Sequence, residues 1–331
     1  MKTRTLGPFE VAEIGLGCMN LSHAYGAPPP REAAIEVIAA ALDLGVSHFD
    51  TAALYGFGKN EELVGPALRP YRDKIVLASK CGMQGVNGKR EIDGRPEALR
   101  NTLEDSLRRL ATDHIDLYYL HRYDKLNDVP IEESVGEMSR MVEAGKIRAI
   151  GLSEVSAATL RRANKVYPIA AVQSEYSLWS RNAEIAVLDA CAEIGAAFVA
   201  FSPLARGFLT GVDLKPGEFA EKDIRRGMPR FQEPHFFRNG ELLPAFRRIA
   251  GEASCTPAQL ALAWLLQKAP HIIPIPGTTS TAHLCDNIGA AEKELSPQTV
   301  ASLEDLINER TVSGPRYPAA TQAEIDTEEF A

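Results

Sequence analysis

Four residue types that together can move a proton at a carbonyl oxygen each close, or closely follow, a short apolar run. Asp50 ends Val46-Ser-His-Phe-Asp50 and Tyr55 follows five residues later, Lys80 ends Ile75-Val-Leu-Ala-Ser-Lys80, and His121 ends Ile115-Asp-Leu-Tyr-Tyr-Leu-His121. A phenol with a pKa near 10 is a reluctant donor at neutral pH. A neighbouring ammonium favours the phenolate, so Lys80 is expected to lower the Tyr55 pKa, with Asp50 pairing Lys80 to hold it. His121 would hydrogen-bond the substrate oxygen or the phenol. Tyr55 would then act as general acid in reduction and, as phenolate, general base in oxidation. Singly, each residue has a plain structural role: a turn cap, a loop aromatic, a solvated lysine, a core histidine. Their shared placement at the ends of β-like runs favours the joint reading.

The elements that must position these residues follow from the hydrophobic pattern. Short runs rich in β-branched, aromatic or Leu residues predict strands near 14–18, 47–50, 74–79, 115–120, 147–151, 170–174, 197–201 and 271–275. Helical patterns lie between them, near 31–44, 59–68, 96–110, 132–144, 156–165, 184–194 and 256–268, and another begins near 281. Pro96 and Pro257 stand early in a helical first turn, and Gly45, Gly145 and Gly195 follow helical patterns as C-cap glycines do. Eight strands alternating with eight helices predict an α/β fold, a (β/α)8 TIM barrel, in which the strand C-terminal ends share the face that carries chemistry. The rival doubly wound sheet would need G-x-G-x-x-G after the first strand, and Gly15-Leu-Gly17-Cys-Met-Asn20 lacks the third glycine. Residues 3–13 read as an N-terminal β-hairpin around Gly7-Pro8. Residues 203–240, rich in Gly, Pro, Phe and Arg, read as a long mobile loop after the seventh strand, the place for a lid. Residues 241–252 read as helix. Residues 311–331 read as a C-terminal tail, mobile or folded across the barrel mouth. The whole chain, 1–331, is read as a single barrel domain.

Composition sets the class. Net charge is −8 and the pI about 5.5, which argues against nucleic acid or an anionic membrane as partner. Five scattered cysteines form no CxxC pair, so neither a zinc site nor a disulfide framework is expected. The start lacks the apolar stretch of a signal peptide, and no apolar run is long enough to cross a membrane. A cytoplasmic setting is the simplest expectation. The sequence leaves the oligomeric state open.

Ordered motifs then identify a resemblance. Gly15-Leu-Gly17-Cys-Met19, Phe49-Asp-Thr-Ala-Ala-Leu-Tyr-Gly56, Leu77-Ala-Ser-Lys80, Asp116-Leu-Tyr-Tyr-Leu-His121-Arg122, Gly145-Lys-Ile-Arg148, Ile150-Gly-Leu-Ser153, Gln173-Ser-Glu-Tyr176, Phe201-Ser-Pro-Leu204 and Ile275-Pro-Gly277 occur in order over nearly the whole chain. Together they resemble the aldo-keto reductase family, in its bacterial branch. The resemblance implies a nicotinamide cofactor bound without a Rossmann fold, no metal, and Asp50, Tyr55, Lys80 and His121 as a catalytic tetrad with Tyr55 as proton donor. It places Gly17, Cys18, Met19 and Asp50 near the cofactor. Ser153 and Gln173 would hydrogen-bond the nicotinamide carboxamide, and Phe201 would stack on the ring without the hydroxyl that a Tyr would bring. Glu154 stands where many relatives carry Asn. Ser202, Pro203, Leu204, Gly207 and Leu209 would wrap the pyrophosphate, with Arg206 adding charge. Gly277, Thr278, Thr279, Ser280 and His283 would hold the adenosine phosphate, and Asp286 and Asn287 the adenine. Hydroxyls and a histidine in place of a fixed Arg or Lys imply NADPH with a moderate preference over NADH.

The substrate would be a small-molecule carbonyl compound, with Met19, His23, Tyr25, Tyr55, His121 and Arg122 as wall residues and Trp179 and the 203–240 loop as further candidates. The leading expectation is reversible, NAD(P)H-dependent reduction of an aldehyde or ketone. The alternatives are an NADPH-binding regulatory or sensor subunit with slow turnover and a metal-dependent barrel hydrolase. The latter would need a strand-end His-x-His pair, which is absent.

Overall fold

The computed structural model describes residues 1–86 and 88–330. A hairpin of β1 (Thr3–Leu6) and β2 (Phe9–Ala12) opens the chain. The main sheet holds β3 (Leu16–Gly17), β4 (His48–Asp50), β5 (Val76–Cys81), β8 (Ile115–Leu120), β9 (Ile147–Ser153), β10 (Ile169–Glu175), β11 (Ala197–Phe201) and β12 (Ile272–Pro274), all parallel and adjacent in that order. Backbone bonds from Gly15 N to Pro274 O (3.0 Å) and Gly17 N to Pro276 O (3.3 Å) join the first strand to the last and close the barrel. This is the predicted (β/α)8 barrel.

Period two decides which residues face inward. Val76, Ala78, Leu117, Tyr119, Ala149, Ala171, Ala197, Val199 and Ile273 pack inside the barrel, where Leu6 and Val11 of the hairpin join them. Alternate residues such as Phe49, Leu77, Tyr118, Ile150 and Val172 pack outward beneath the helices. The same parity, carried to the strand ends, brings Asp50, Lys80, His121, Ser153, Gln173 and Phe201 to the inside. Registry makes them neighbours: Asp50 pairs with Ala78, Lys80 with Tyr119 and Ser153 with Gln173. The hairpin is held at the other end by Arg4, which donates to Ala269 O (2.7 Å) and Ile272 O (2.6 Å).

Around the sheet run α1 (Arg31–Asp43), α2 (Lys59–Leu68), α3 (Pro96–Leu110), α4 (Ile131–Glu143), α5 (Ala157–Val166), α6 (Val187–Ile194), α7 (His235–Gly240), α8 (Leu243–Glu252), α9 (Pro257–Lys268), α10 (Thr281–Gly289), α11 (Pro297–Leu306) and α12 (Ala319–Glu324). α3 shows the local logic. Pro96 starts it, Leu99, Leu103, Leu107 and Leu110 recur at helical spacing, and all four are buried. α9 starts with Thr256, whose Oγ1 accepts from Gln259 N at 3.1 Å while Gln259 Oε1 accepts from Thr256 N at 3.2 Å. Among the described residues no helix is long and apolar enough to cross a membrane.

Three features depart from the pattern reading. A second hairpin, β6 (Met83–Val86) with β7 (Lys89–Ile92), follows β5. α11 and α12 were not anticipated. The 203–240 segment carries several short helical turns and α7, and Phe208 and Phe231 bury their rings in the core. Apolar anchors scattered through a Gly- and Pro-rich stretch leave no periodicity to read.

Candidate active site

Asp50, Tyr55, Lys80 and His121 stand together at the C-terminal end of the barrel. The Lys80 ammonium is ion-paired to Asp50 and also donates to Thr51 O (2.9 Å) and to the Tyr55 hydroxyl (3.2 Å). Gln173 Nε2 donates to the second Asp50 oxygen at 2.7 Å. The rings of Tyr55 and His121 meet edge to face, 5.8 Å apart. Tyr55 itself opens a tight turn in which Gly56, Phe57 and Gly58 all take positive φ. Gly58 is required there, since a Cβ would come within 2.8 Å of Arg109 Cδ. Asn60 fastens this turn from below. Its amide donates to Cys18 O (2.8 Å) and Ser22 Oγ (2.7 Å), and its oxygen accepts from Thr51 Oγ1 (2.6 Å).

Burial sets the protonation states. It pushes the Tyr55 phenol above its usual value, and the Lys80 ammonium only partly offsets it. The expectation that Lys80 would bring a net lowering is therefore corrected. Its pull is present, but desolvation outweighs it. For Lys80, burial opposes the charge, yet Asp50 and Tyr55 together hold it above its ordinary value. His121 is pushed well below its ordinary value by burial, then by the neighbouring Arg122 and Lys80 charges, and is neutral near pH 7.

These groups open into a cleft of about 810 Å³, within the size range of small-molecule sites. Gly17, Met19, His23, Tyr25, Asp50, Tyr55, His121 and Arg122 line it. So do Ser153, Gln173, Phe201, Ser202, Pro203, Leu204, Arg206 and Gly207 on one side, and Gly277, Thr278, Thr279 and His283 on the other. The donor set fits an extended anionic cofactor. Ser202, Ala205, Arg206 and Gly207 all take positive φ, and the turn closes on itself, with Ala205 N donating to Ser202 O (2.9 Å) and Gly207 N to Leu204 O (3.0 Å). The nine-residue α10 begins beside Thr278 and Thr279, with Ser280 as its cap accepting from His283 N at 3.4 Å.

Six of the expected site residues do not line this cleft. Lys80 lies behind Asp50 and Tyr55. Cys18 is fully buried, its thiol turned to Leu16 O. Leu209 is core, and the Asn287 side chain is buried beneath α10. Ser280 is occupied as the helix cap. The Asp286 carboxylate accepts from Thr256 Oγ1 at 2.9 Å, tying α10 to α9. Trp179 is also interior, stacked on Phe208 at 4.3 Å. Arg206 is neither a solvated loop residue nor an unpaired charge for a pyrophosphate. It is bound to Glu175 Oε2 at 2.7 Å and buried. For the Glu175 carboxyl, burial raises the pKa, but Arg206 and Arg316 hold it below the usual carboxylate range.

The tail folds across the mouth. Glu154 is fully buried and binds Arg316 Nη2 at 2.8 Å, Asp326 N donates to Glu154 O at 3.0 Å, and Tyr317, Pro318 and Thr321 line the cleft. Asn20, Met83, Arg90 and Tyr317 are wall residues that the sequence reading missed, whereas Ile224 and Arg225 come from the 203–240 loop it offered as a wall. An Asn-Gly pair at 87–88, a hairpin signal, would have found the segment bearing Met83 and Arg90. A buried Glu at a strand end would have called for the basic partners of Glu154 and Glu175. Among the described residues no cluster of three or more His, Cys, Asp or Glu is placed to hold a metal ion.

Comparison with known proteins gives the family. The model of the aldo/keto reductase family matches residues 13–308. A relative from Schizosaccharomyces pombe, the aldo-keto reductase yakc, whose name carries NADP(+), is 43% identical over 98% of this chain and 96% of its own length. A probable aldo-keto reductase 1 from Glycine max is 42% identical over 93% of this chain and 89% of its own. Among solved structures, the glycerol dehydrogenase AKR11B4 from Gluconobacter oxydans superposes with a TM-score of 0.85 at 30% identity, covering 96% of this chain and 98% of that one. An aldo/keto reductase from Klebsiella pneumoniae, in complex with NADP and acetate, gives a TM-score of 0.72 at 28% identity, covering 98% and 99%. With both barrel and sequence matched over nearly their full length, the chain belongs to the aldo/keto reductase family.

Proposed function

We propose that this chain is an NADPH-dependent reductase of aldehydes or ketones with Tyr55 as the proton donor. The observation that carries the reading is the Lys80 ammonium set between the Asp50 carboxylate and the Tyr55 hydroxyl, 3.2 Å from the latter. NADPH, when bound, supplies the reducing hydride. Gly17, Met19, Ser153, Gln173 and Phe201 would hold its nicotinamide end. Ser202, Pro203, Leu204 and Gly207 would hold the pyrophosphate, and Gly277, Thr278, Thr279 and His283 the adenosine phosphate. The relatives named for NADP(+) and solved with NADP support this choice of cofactor.

The chain's own residues manage the proton. The Tyr55 oxygen accepts from Lys80, which leaves its O–H directed at the cleft. As the carbonyl carbon is reduced, its oxygen takes the Tyr55 proton and becomes the alcohol. The ammonium then faces the phenolate, where it stabilises the charge that has just formed. Asp50, braced by Gln173, keeps Lys80 in place. Neutral His121 offers a hydrogen bond to the same substrate oxygen and so orients the carbonyl. In the reverse direction the phenolate is the base, and the name glycerol dehydrogenase on one relative suits that direction.

NADPH oxidation with 4-nitrobenzaldehyde tests the reading, with Tyr55→Phe run beside the parent. Loss of general acid catalysis should lower kcat by about a hundredfold or more. NADPH affinity, read by fluorescence titration, should hold within about threefold, because the lost hydroxyl faces substrate oxygen. Parent-like turnover in the variant would end the proposal. Paired NADPH and NADH titrations check the cofactor. A moderate NADPH preference is expected, and a large NADH preference would refute the adenosine-end assignment.

A further inference from the structure

Four arginines line the cleft, and three of them already have a carboxylate. Arg90 is bound to Glu324, Arg206 to Glu175 at 2.7 Å and Arg225 to Asp223 at 2.6 Å. Arg122 forms no ion pair among the described residues, although its residue is only 7% exposed. Its Nη1 donates to His121 O at 2.7 Å and reaches Ser153 Oγ at 3.4 Å. Its Nε is buried without a partner, and no hydrogen bond from Nη2 is formed among the described residues. A guanidinium withdrawn from water without a counter-charge is costly. It is also always charged, so it cannot escape that cost by losing a proton.

The orientation narrows the counter-charge. With Nη1 used by the backbone and Nε enclosed, Nη2 is the donor left to an anion in the cleft, and a carboxylate there would meet a charge-assisted N–H. Arg122 follows His121 directly in the chain, and its charge acts on both His121 and Tyr55. An anion on Nη2 therefore lies at the substrate's end of the cleft. The phosphate-binding elements are the 202–207 turn and the start of α10, which belong to other strands.

We propose that Arg122 is a carboxylate subsite of the substrate pocket, so that the preferred substrates are aldehydes or ketones that also bear a carboxylate. This rests on the reductase reading above. The carboxylate would supply the counter-charge that the fold omits and would fix the carbonyl toward Tyr55 and His121.

Two activated aldehydes of similar size test it, 4-carboxybenzaldehyde and 4-nitrobenzaldehyde, which differ in charge. The readout is the ratio of their kcat/KM values within each protein, which cancels losses common to both. In Arg122→Met the carboxy-to-nitro ratio should fall by about tenfold, the size expected for one charge-assisted pair. Arg122→Lys keeps the charge but not the guanidinium, so it should recover part of the ratio, and it also serves if the Met variant fails to fold. A ratio within about threefold of the parent in both variants would overturn the proposal, by assigning the guanidinium to structure alone. Equal loss on both aldehydes together with weaker NADPH binding would overturn it in favour of a cofactor contact. If the parent reduces neither aldehyde, the reductase reading fails, and calorimetry on the NADPH-saturated protein decides the subsite separately. Benzoate binding that is lost in Arg122→Met supports the subsite, and benzoate bound no better than benzamide refutes it.

Discussion

Tyr55 shows how a half-buried phenol can be made useful by two opposed influences. Desolvation holds the proton on, while Lys80 stands ready for the charge left once the proton goes. The sign of the pH dependence follows. Reduction needs the protonated phenol, and its pKa lies above the ordinary value near 10. Reduction should therefore show no basic limb from Tyr55 below about pH 10. His121, pushed well below 6.5, is neutral throughout the same range and should add no limb between about pH 5 and 8. A plot of kcat/KM for 4-nitrobenzaldehyde reduction should be flat from about pH 6 to 9, whereas alcohol oxidation, which needs the phenolate, should rise with pH. A basic limb centred near pH 8 would mean that Lys80 dominates over burial after all. The sequence made the four residue types and their strand-end positions legible. It could not give the net direction of the Tyr55 shift, because that is decided by depth of burial in the finished fold.

At the scale of elements, the C-terminal tail is fastened to the barrel by a buried charge pair whose members are 162 residues apart. Glu154 turns out of β9 with φ at +56°, and its carboxylate meets Arg316 below the segment carrying Tyr317, Pro318 and Thr321. Removing one partner leaves the other as an uncompensated interior charge. Arg316→Met should cost about 3–5 kcal/mol of stability. The double variant with Glu154→Leu should cost less than Arg316→Met alone, since neither charge is then stranded. Denaturant titration of the single and double variants checks this, and additive losses would show that the pair is not coupled. Because the same segment walls the cleft, Arg316→Met should also raise KM more than it lowers kcat. Neither partner is visible by periodicity. Strands and helices announce themselves through repeats of two and 3.6 residues. A pair joining a strand end to an irregular tail has no period, which is also why the tail could only be read as mobile or folded over.

The barrel as a whole carries a histidine at its interior that no part of the proposed chemistry uses. His48 lies two residues before Asp50 on the inward side of β4, fully buried, and neither ring nitrogen has a hydrogen-bond partner among the described residues. Gly15 on the neighbouring strand makes room for it, since a Cβ there would come within 2.8 Å of the His48 ring. Burial pushes the His48 pKa down from 6.5 to about 4. In the unfolded chain the imidazole regains an ordinary value, so between those two pH values the unfolded state binds the extra proton and the folded state does not. Stability from this site is fully present above about pH 6.5 and is lost as pH falls toward 4. A difference of about two and a half pKa units corresponds to at most about 3–4 kcal/mol over that window. His48→Leu removes the titration and leaves no polar atom unpaired, so its stability should be flatter from pH 6.5 to 4 than the parent's. Chemical denaturation at stepped pH reads the difference directly. If parent and variant lose stability in parallel over that interval, the acid sensitivity of the barrel comes from other groups, such as the Glu175 carboxyl held below its ordinary range by Arg206 and Arg316, and not from the imidazole.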